Sequence, residues 1–186
     1  VNKYESLRHL YLHGFNVSPF MHYDSFMESC IRDYFIFHRV KVFGVRCYKP
    51  YREEPHAPFK HSIQGLDHAF GFADSCTHAG WDAIICESYP LEWVKLNCEL
   101  MSDGVKFVAL TYSFGKQTCR DVASGAVACT PHESLQPPEL QAIWSQLETL
   151  LSFYKEPTVF EFSLFDRPVG LLNEKLIFWE TRKGTK

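Results

Sequence analysis

Apolar positions along this chain recur in two rhythms, one close to the helical period and one alternating every second residue, and the switches between them mark its elements. Residues 4–13 (YESLRHLYLH) set Leu7, Leu10 and Tyr11 at helical spacing, and Gly14 is placed to end that helix. Val17 to Phe20, with Pro19 inside, reads as a short extended link. A second helix is predicted over 23–37, capped by Asp24 or Ser25, with Phe26, Cys30, Tyr34 and Phe37 on one stripe. At 40–48 (VKVFGVRCY) the pattern becomes that of a strand, and the charged, proline-containing stretch 49–60 that follows reads as an exposed loop with the reach of a lid.

The pattern weakens from 62 to 75, then WDAIICES (81–88) forms an apolar run that must stop or turn at Tyr89-Pro90. Residues 91–101 fit strand and helix equally, and a further strand is predicted over 104–113 after the polar turn Ser102-Asp103-Gly104. A long helix over 137–155 starts with proline in its first turn and carries Leu140, Ile143, Trp144, Leu147, Leu150 and Leu151 as its apolar stripe. Two strands close the chain across 157–182, joined by a turn within 168–174. Strict alternation puts Phe160, Phe162 and Leu164 opposite Val159, Glu161 and Ser163; in the second strand Leu176, Phe178 and Glu180 share a face, with Ile177, Trp179 and Thr181 on the other. The expected fold class is α+β, with a helix laid against an antiparallel sheet.

Composition narrows the choices. At 186 residues and 46% hydrophobic content the chain suits one domain, or two small lobes sharing a cleft. A formal net charge of −3 gives no basic footprint, so neither nucleic acid nor a charged membrane is an expected partner. Seven cysteines form no CxxC pair and sit partly in apolar runs, which reads as a reducing, cytoplasmic setting with thiols acting as small hydrophobes. No run reaches the ~20 apolar residues of a membrane span, and VNKYESLRHL is too polar for a signal peptide.

Chemistry concentrates in the terminal hairpin. Glu161 and Glu180 lie inside apolar strands and are able to meet across it; a carboxylate there is costly to bury unless paired, and Mg²⁺ bridging two carboxylates to phosphate oxygens is one such partner. Arg182 points the same way as Glu180 and adds a phosphate-directed cation. The plain alternative is an amphipathic hairpin whose glutamates face water. His56, His61, His68, Cys76 and His78 fall in one stretch but match no closed zinc spacing, and no context activates a Cys–His nucleophile among them. The P-loop pattern GxxxxGK[ST] is absent, and SFGKQTCRD (113–121) is too poor in glycine to replace it.

A strand ending in Glu-x-x-Pro (AIICESYP), Glu92 just after it, an antiparallel strand (GVKFVAL), a long helix and two strands carrying Glu161 and Glu180 form an order that resembles the C-terminal lobe of ATP-grasp proteins. The end of the chain is similar to the nucleotide-binding domain of pyruvate phosphate dikinase and phosphoenolpyruvate synthase, with WETR where that group has a Gln-x-Arg-Pro-like signature: Glu180 stands in the Gln position and Lys183 where proline would be. KYESLRHLYLHGFNVSPF resembles that group's opening helix and Gly-Phe-x-Val-x-Pro-like turn, and VFGVRCY the strand whose arginine contacts nucleotide phosphates, which assigns that role to Arg46. The chain departs in having no long glycine-rich loop after Arg46, so Lys49, Lys60 or His61 would supply the second cation and Arg120 a further contact. The phosphohistidine and barrel domains of the dikinases and the extra N-terminal domain of most ATP-grasp ligases have no counterpart in it.

The resemblance implies two small lobes with antiparallel sheets around a nucleotide cleft, 1–80 carrying the phosphate-contacting strand and lid loop and 81–186 the adenine hinge and metal hairpin. It implies ATP and Mg²⁺ as cofactors, with Glu87, Ser88, Tyr89 and Leu91 at the base, Glu92 at the ribose, Arg46, Lys49 and Lys60 at the phosphates and Glu161 with Glu180 on the metal. Arg46, Lys60 and Arg182 would then promote phosphoryl transfer to an acceptor, a small molecule or peptide carrying a carboxylate, as in ATP-dependent ligases. Taken alone, Arg46 also fits a surface ion pair, Glu87 and Glu92 fit turn caps, and Trp81 and Trp93 fit the core. The competing expectation is a module that binds a nucleotide or a protein without turnover, which the missing glycine-rich loop favours. An oligomer remains open.

Overall fold

Asn2 starts the first helix by a reciprocal cap: its side chain accepts from the Glu5 N–H at 2.9 Å, and the Glu5 carboxylate accepts from the Asn2 N–H. In this computed structural model, which describes residues 2–50, 57–114, 127–129 and 137–184, that helix is α1 (Lys3–Leu12). Residues 51–56 of the expected lid loop fall outside the described residues, as does Arg120, and the loop's last two residues, Phe59 and Lys60, belong to a strand. The architecture is α+β, built on two antiparallel sheets.

The first sheet has the order β1 (Phe20–His22), β4 (Asp82–Glu87), β2 (Val42–Tyr48), β3 (Phe59–Gln64). Helices α2 (Glu28–Phe37) and α3 (Leu66–His78) cover one face, where Ile31, Phe35, Phe43, Val45, Phe70 and Ile85 form a core. The second sheet runs β7 (Val127–Cys129), β6 (Phe107–Phe114), β5 (Val94–Ser102), β8 (Thr158–Val169), β9 (Glu174–Lys183). Its core face packs Leu96, Leu100, Phe160, Phe162 and Phe178 under α4 (Pro138–Glu148), a short helix Leu150–Phe153, and α1. No helix among the described residues is long and apolar enough to cross a membrane.

Several expectations shift in register. A 3₁₀ turn at Ser25–Met27 precedes α2, and its tighter winding moves the buried stripe to Ile31 and Phe35, leaving Phe26 95% and Phe37 79% exposed. The weak stretch 62–75 holds the end of β3 and most of α3, whose buried side is built from small residues, Ala69, Ala73 and Cys76, beside Leu66 and Phe70. The expected link runs into β1, which starts at its last residue and pairs Phe20 with Cys86, and 91–101 resolves into a 3₁₀ turn followed by β5. Because β4 pairs with β1 and β2, the chain crosses between sheets at 88–93 rather than at 80/81.

The segment after α1 ties the lobes together. Asn16 is fully buried; its Nδ2 donates to the Val169 and Leu176 carbonyls at 2.8 and 2.9 Å, and its Oδ1 accepts from the Leu172 N–H at 2.8 Å. Gly170 has φ +79° beneath it, and a Cβ there would stand 2.5 Å from Asn16 Oδ1. The β8–β9 turn is thereby clamped onto the N-terminal segment.

The hairpin itself contains a bulge. Glu161 opposes Glu180 but Phe162 opposes Phe178, so Trp179 is an extra residue in β9. The bulge reverses the alternation beyond it. Glu180 therefore leaves the face of Leu176 and Phe178 and joins Glu161, on the side where the Trp179 indole N–H donates to Ser163 Oγ at 2.7 Å. Thr181 turns the other way, its Oγ1 2.9 Å from Ser6 Oγ of α1.

Candidate functional site

Strand register places Glu99 beside Glu161 and Glu161 beside Glu180, a lateral row of three carboxylates on β5, β8 and β9. Directly opposed residues stand about 5 Å apart at Cβ, so such a row repels itself unless cations are built in. The row receives three. Arg182, two residues beyond Glu180, donates one Nη to Glu161 and the other to Glu99 at 2.7 Å. Across the cleft Arg46 of β2 donates to Glu180 at 3.0 Å and to the Trp179 carbonyl at 2.8 Å, and Lys3 of α1 lies 3.1 Å from the same Glu180 oxygen. The bulge makes this possible, since it presents the Trp179 carbonyl and the Glu180 carboxylate together to one guanidinium.

The carboxylates respond differently to these surroundings. Burial pushes the Glu161 carboxyl up, the Glu180 charge adds to that, and Arg182 offsets only part. Glu180 is pushed up by burial too, but Arg46 and then Lys3 outweigh it and hold the group below its ordinary range. Burial, followed by the Arg46 charge, lowers the Lys3 ammonium more than Glu180 raises it.

The crossing segment carries the other group of expected residues. Tyr89 donates to Glu87 at 2.8 Å and packs against Phe165 and Trp179, and burial raises the Glu87 carboxyl. Ser88 Oγ accepts from the Ser62 N–H at 3.2 Å. Tyr89, Pro90, Leu91 and Glu92 line one side of a shallow pocket of about 330 Å³, and Val42, Ser62 and Gln64 the other. The five residues expected around a base and ribose thus lie together, four of them on one crossing segment.

Two expected cations lie elsewhere. Lys60 opposes Val45 and therefore faces α3, where its ammonium sits 5.6 Å from the Phe72 ring centre. Lys49 caps the Gly80 carbonyl and lies 4.5 Å from the Trp81 ring centre. His61 does share the Arg46 side of the sheet, yet burial and then Arg46 lower its pKa, making it a neutral neighbour at neutral pH. Lys3 stands beside Arg46 on Glu180, and neither it nor Glu99 is a site residue in the sequence reading: Lys3 opens the first helix without a role of its own, and Glu99 lies where strand and helix rhythms coincide. Glu99 would follow from pairing 94–102 with 157–165 so that its alternate residues match.

For magnesium the donor chemistry is suitable and the arrangement is not. Mg²⁺ takes hard oxygens in near-octahedral geometry at about 2.1 Å. Here Glu161 is already paired with Arg182 and Glu180 with Arg46 and Lys3, so three fixed cations stand where the ion would sit, and among the described residues no three His, Cys, Asp or Glu side chains converge to hold an ion. The residues present do not fit the two-carboxylate site. Among the scattered histidines, His68 bonds its own helix start at Gln64 and His78 the Asp74 carbonyl, while His56 lies outside the described residues.

No family model and no curated protein matches the sequence. Solved structures do match its fold. Over all of the chain and 45% of its own length, the N5-carboxyaminoimidazole synthetase of Staphylococcus aureus, complexed with ADP, aligns at TM-score 0.61 and 13% identity. The D-alanine–D-alanine ligase of Bacillus anthracis, complexed with ATP, aligns at TM-score 0.58 and 9% identity over 98% of this chain and 54% of that one. The macrocyclase MdnC of Microcystis aeruginosa MRC, bound with its precursor peptide MdnA, aligns at 0.58 and 11% over 96% and 51%. The chain spans about half the length of these structures.

Proposed function

We propose, for a chain that carries the fold of ATP-grasp ligases, that the cleft between its two sheets binds ATP, with the phosphates against Arg46 and Lys3 and the base against residues 87–91. The observation that supports this reading is the reach of Arg46 from β2 across the cleft to Trp179 and Glu180, which sets a fixed guanidinium where the two sheets face each other. Arginine suits phosphate because its planar fork donates two parallel hydrogen bonds. Lys3 adds a compact charge beside it, and Glu92 stands at the hinge pocket where a ribose hydroxyl would need an acceptor.

The reaction this placement serves is phosphoryl transfer to a carboxylate acceptor, small molecule or peptide, giving an acyl phosphate ready for ligation. Such catalysis is chiefly positioning and charge neutralisation, so no nucleophile from the protein is required. Kinship with the dikinase nucleotide-binding domain belongs to the same proposal and rests on residues 40–49, 81–92 and 157–182. A second reading, binding without turnover, is favoured by one observation: the carboxylates expected to hold Mg²⁺ are already paired with arginine and lysine.

Calorimetric titration of ATP into the protein and into Arg46→Ala tests the proposal. Saturable binding to the parent chain that weakens about tenfold or more in the variant supports it, the loss expected for a charge-assisted hydrogen-bonded contact. Equal binding by both removes Arg46 from the site. Steady release of ADP with a carboxylate acceptor separates an enzyme from a binder.

A further inference from the structure

We infer that Arg182 is the resident counter-cation of the cleft and that nucleotide binding here needs no divalent metal; this rests on the nucleotide reading above. Glu99, Glu161 and Glu180 stand side by side on three adjacent strands, and three like charges at that spacing require neutralisation. A divalent ion would be one way to supply it, and an arginine from the same sheet is another.

The ion pairs divide into two groups. Arg182 serves two carboxylates, Glu161 and Glu99, and all three side chains belong to the second sheet. That group carries one net negative charge and moves as a unit with its strands. Glu180 is served by two cations, Arg46 and Lys3, both on segments N-terminal to that sheet. This second group joins α1 and the first sheet to β9, and it is the group that a phosphate between the two sheets would meet.

The same geometry opposes a metal. An ion bridging Glu161 and Glu180 would sit beside three fixed cations, Arg182 on Glu161 and Arg46 with Lys3 on Glu180, in a partly buried place where their repulsion is poorly screened. Arginine stays charged at any working pH, so it cannot relieve the clash by losing a proton. Phosphates entering the cleft are instead met by Arg46 and Lys3, with the strand row neutralised from within.

Two experiments on the full chain decide the matter. Titration of ATP in EDTA and again in excess Mg²⁺ should give dissociation constants within about threefold of each other. Binding only with Mg²⁺, or binding at least about tenfold tighter with it, overturns the inference while leaving the nucleotide reading intact. Binding in neither buffer overturns both. Independently of nucleotide, Mn²⁺ titration followed by electron paramagnetic resonance should show no cleft site in the parent and a new site in Arg182→Asn, where the Glu161 oxygen is released. Arg182→Lys, which keeps a cation in place, should stay without the site, and circular dichroism checks that both variants fold. A parent site that Glu161→Gln abolishes overturns the inference, as does an Arg182→Asn variant that folds and gains nothing.

Discussion

The two faces of the β5–β8–β9 sheet are made by the same strands and obey opposite rules. One face is filled by Leu96, Leu100, Phe160, Phe162 and Phe178, all fully buried beneath helices. The other carries Glu99, Glu161, Glu180 and Arg182 on neighbouring strands, partly buried and held by charge. Apolar burial is non-directional and roughly proportional to area, so the first face specifies a fold. The second must satisfy each group individually, because a carboxylate left unpaired there is expensive. The bulge at Trp179 lets one strand serve both faces, turning Glu180 toward the charges without moving Phe178 from the core.

That contrast can be broken from the apolar side first. Phe162→Ala should cost about 3–5 kcal/mol, as large-to-small changes at filled sites do, and urea denaturation would read it as a large fall in midpoint. Breaking the charged side costs less because its members keep some solvent access. Arg182→Leu should destabilise by about 1–3 kcal/mol through the two carboxylates it abandons. Adding Glu161→Gln should recover part of that loss, whereas additive effects in this double-mutant cycle would mean the pair is not coupled.

Acid should act on the charged face with two opposing signs. The Glu161 pKa is raised, so its ionised form is a burden above that value, one that lifts as pH falls through it. The Glu180 pKa is lowered, so its stabilisation is present above the ordinary glutamate value and lost only as pH falls through the depressed one. Stability measured by urea at successive pH values should therefore hold or rise before it drops. Glu161→Gln should flatten the first limb and Glu180→Gln the second; a steady fall from neutral pH in the parent would contradict the assignment. The smallest effect belongs to Phe37→Ser, within about 0.5 kcal/mol, since a side chain 79% exposed loses little by becoming polar.

Phe37 also marks where sequence reasoning stops. Its place on a helical stripe was legible, but the 3₁₀ turn before α2 rotates the buried side onto Ile31 and Phe35, and the stripe alone does not reveal that turn. The meeting of Glu161 and Glu180 was legible because both sit in apolar strands flanking one turn. Which face they meet on was not, because a single extra residue inverts the alternation. Arg46 lies on the strand expected to carry it, whereas the direction in which Lys60 points depends on its pairing with Val45, a register set in space. Glu99 and Lys3 show the same limit: each gains its role from a neighbour far away in sequence.

The most direct test of the account is the structure of the protein with a non-hydrolysable ATP analogue. The account predicts phosphate oxygens within hydrogen-bond reach of Arg46 and Lys3, the base beside Glu87 to Leu91, and Arg182 still joined to Glu161 and Glu99. An analogue bound elsewhere, or a metal ion seated between Glu161 and Glu180 with Arg182 expelled, would contradict it.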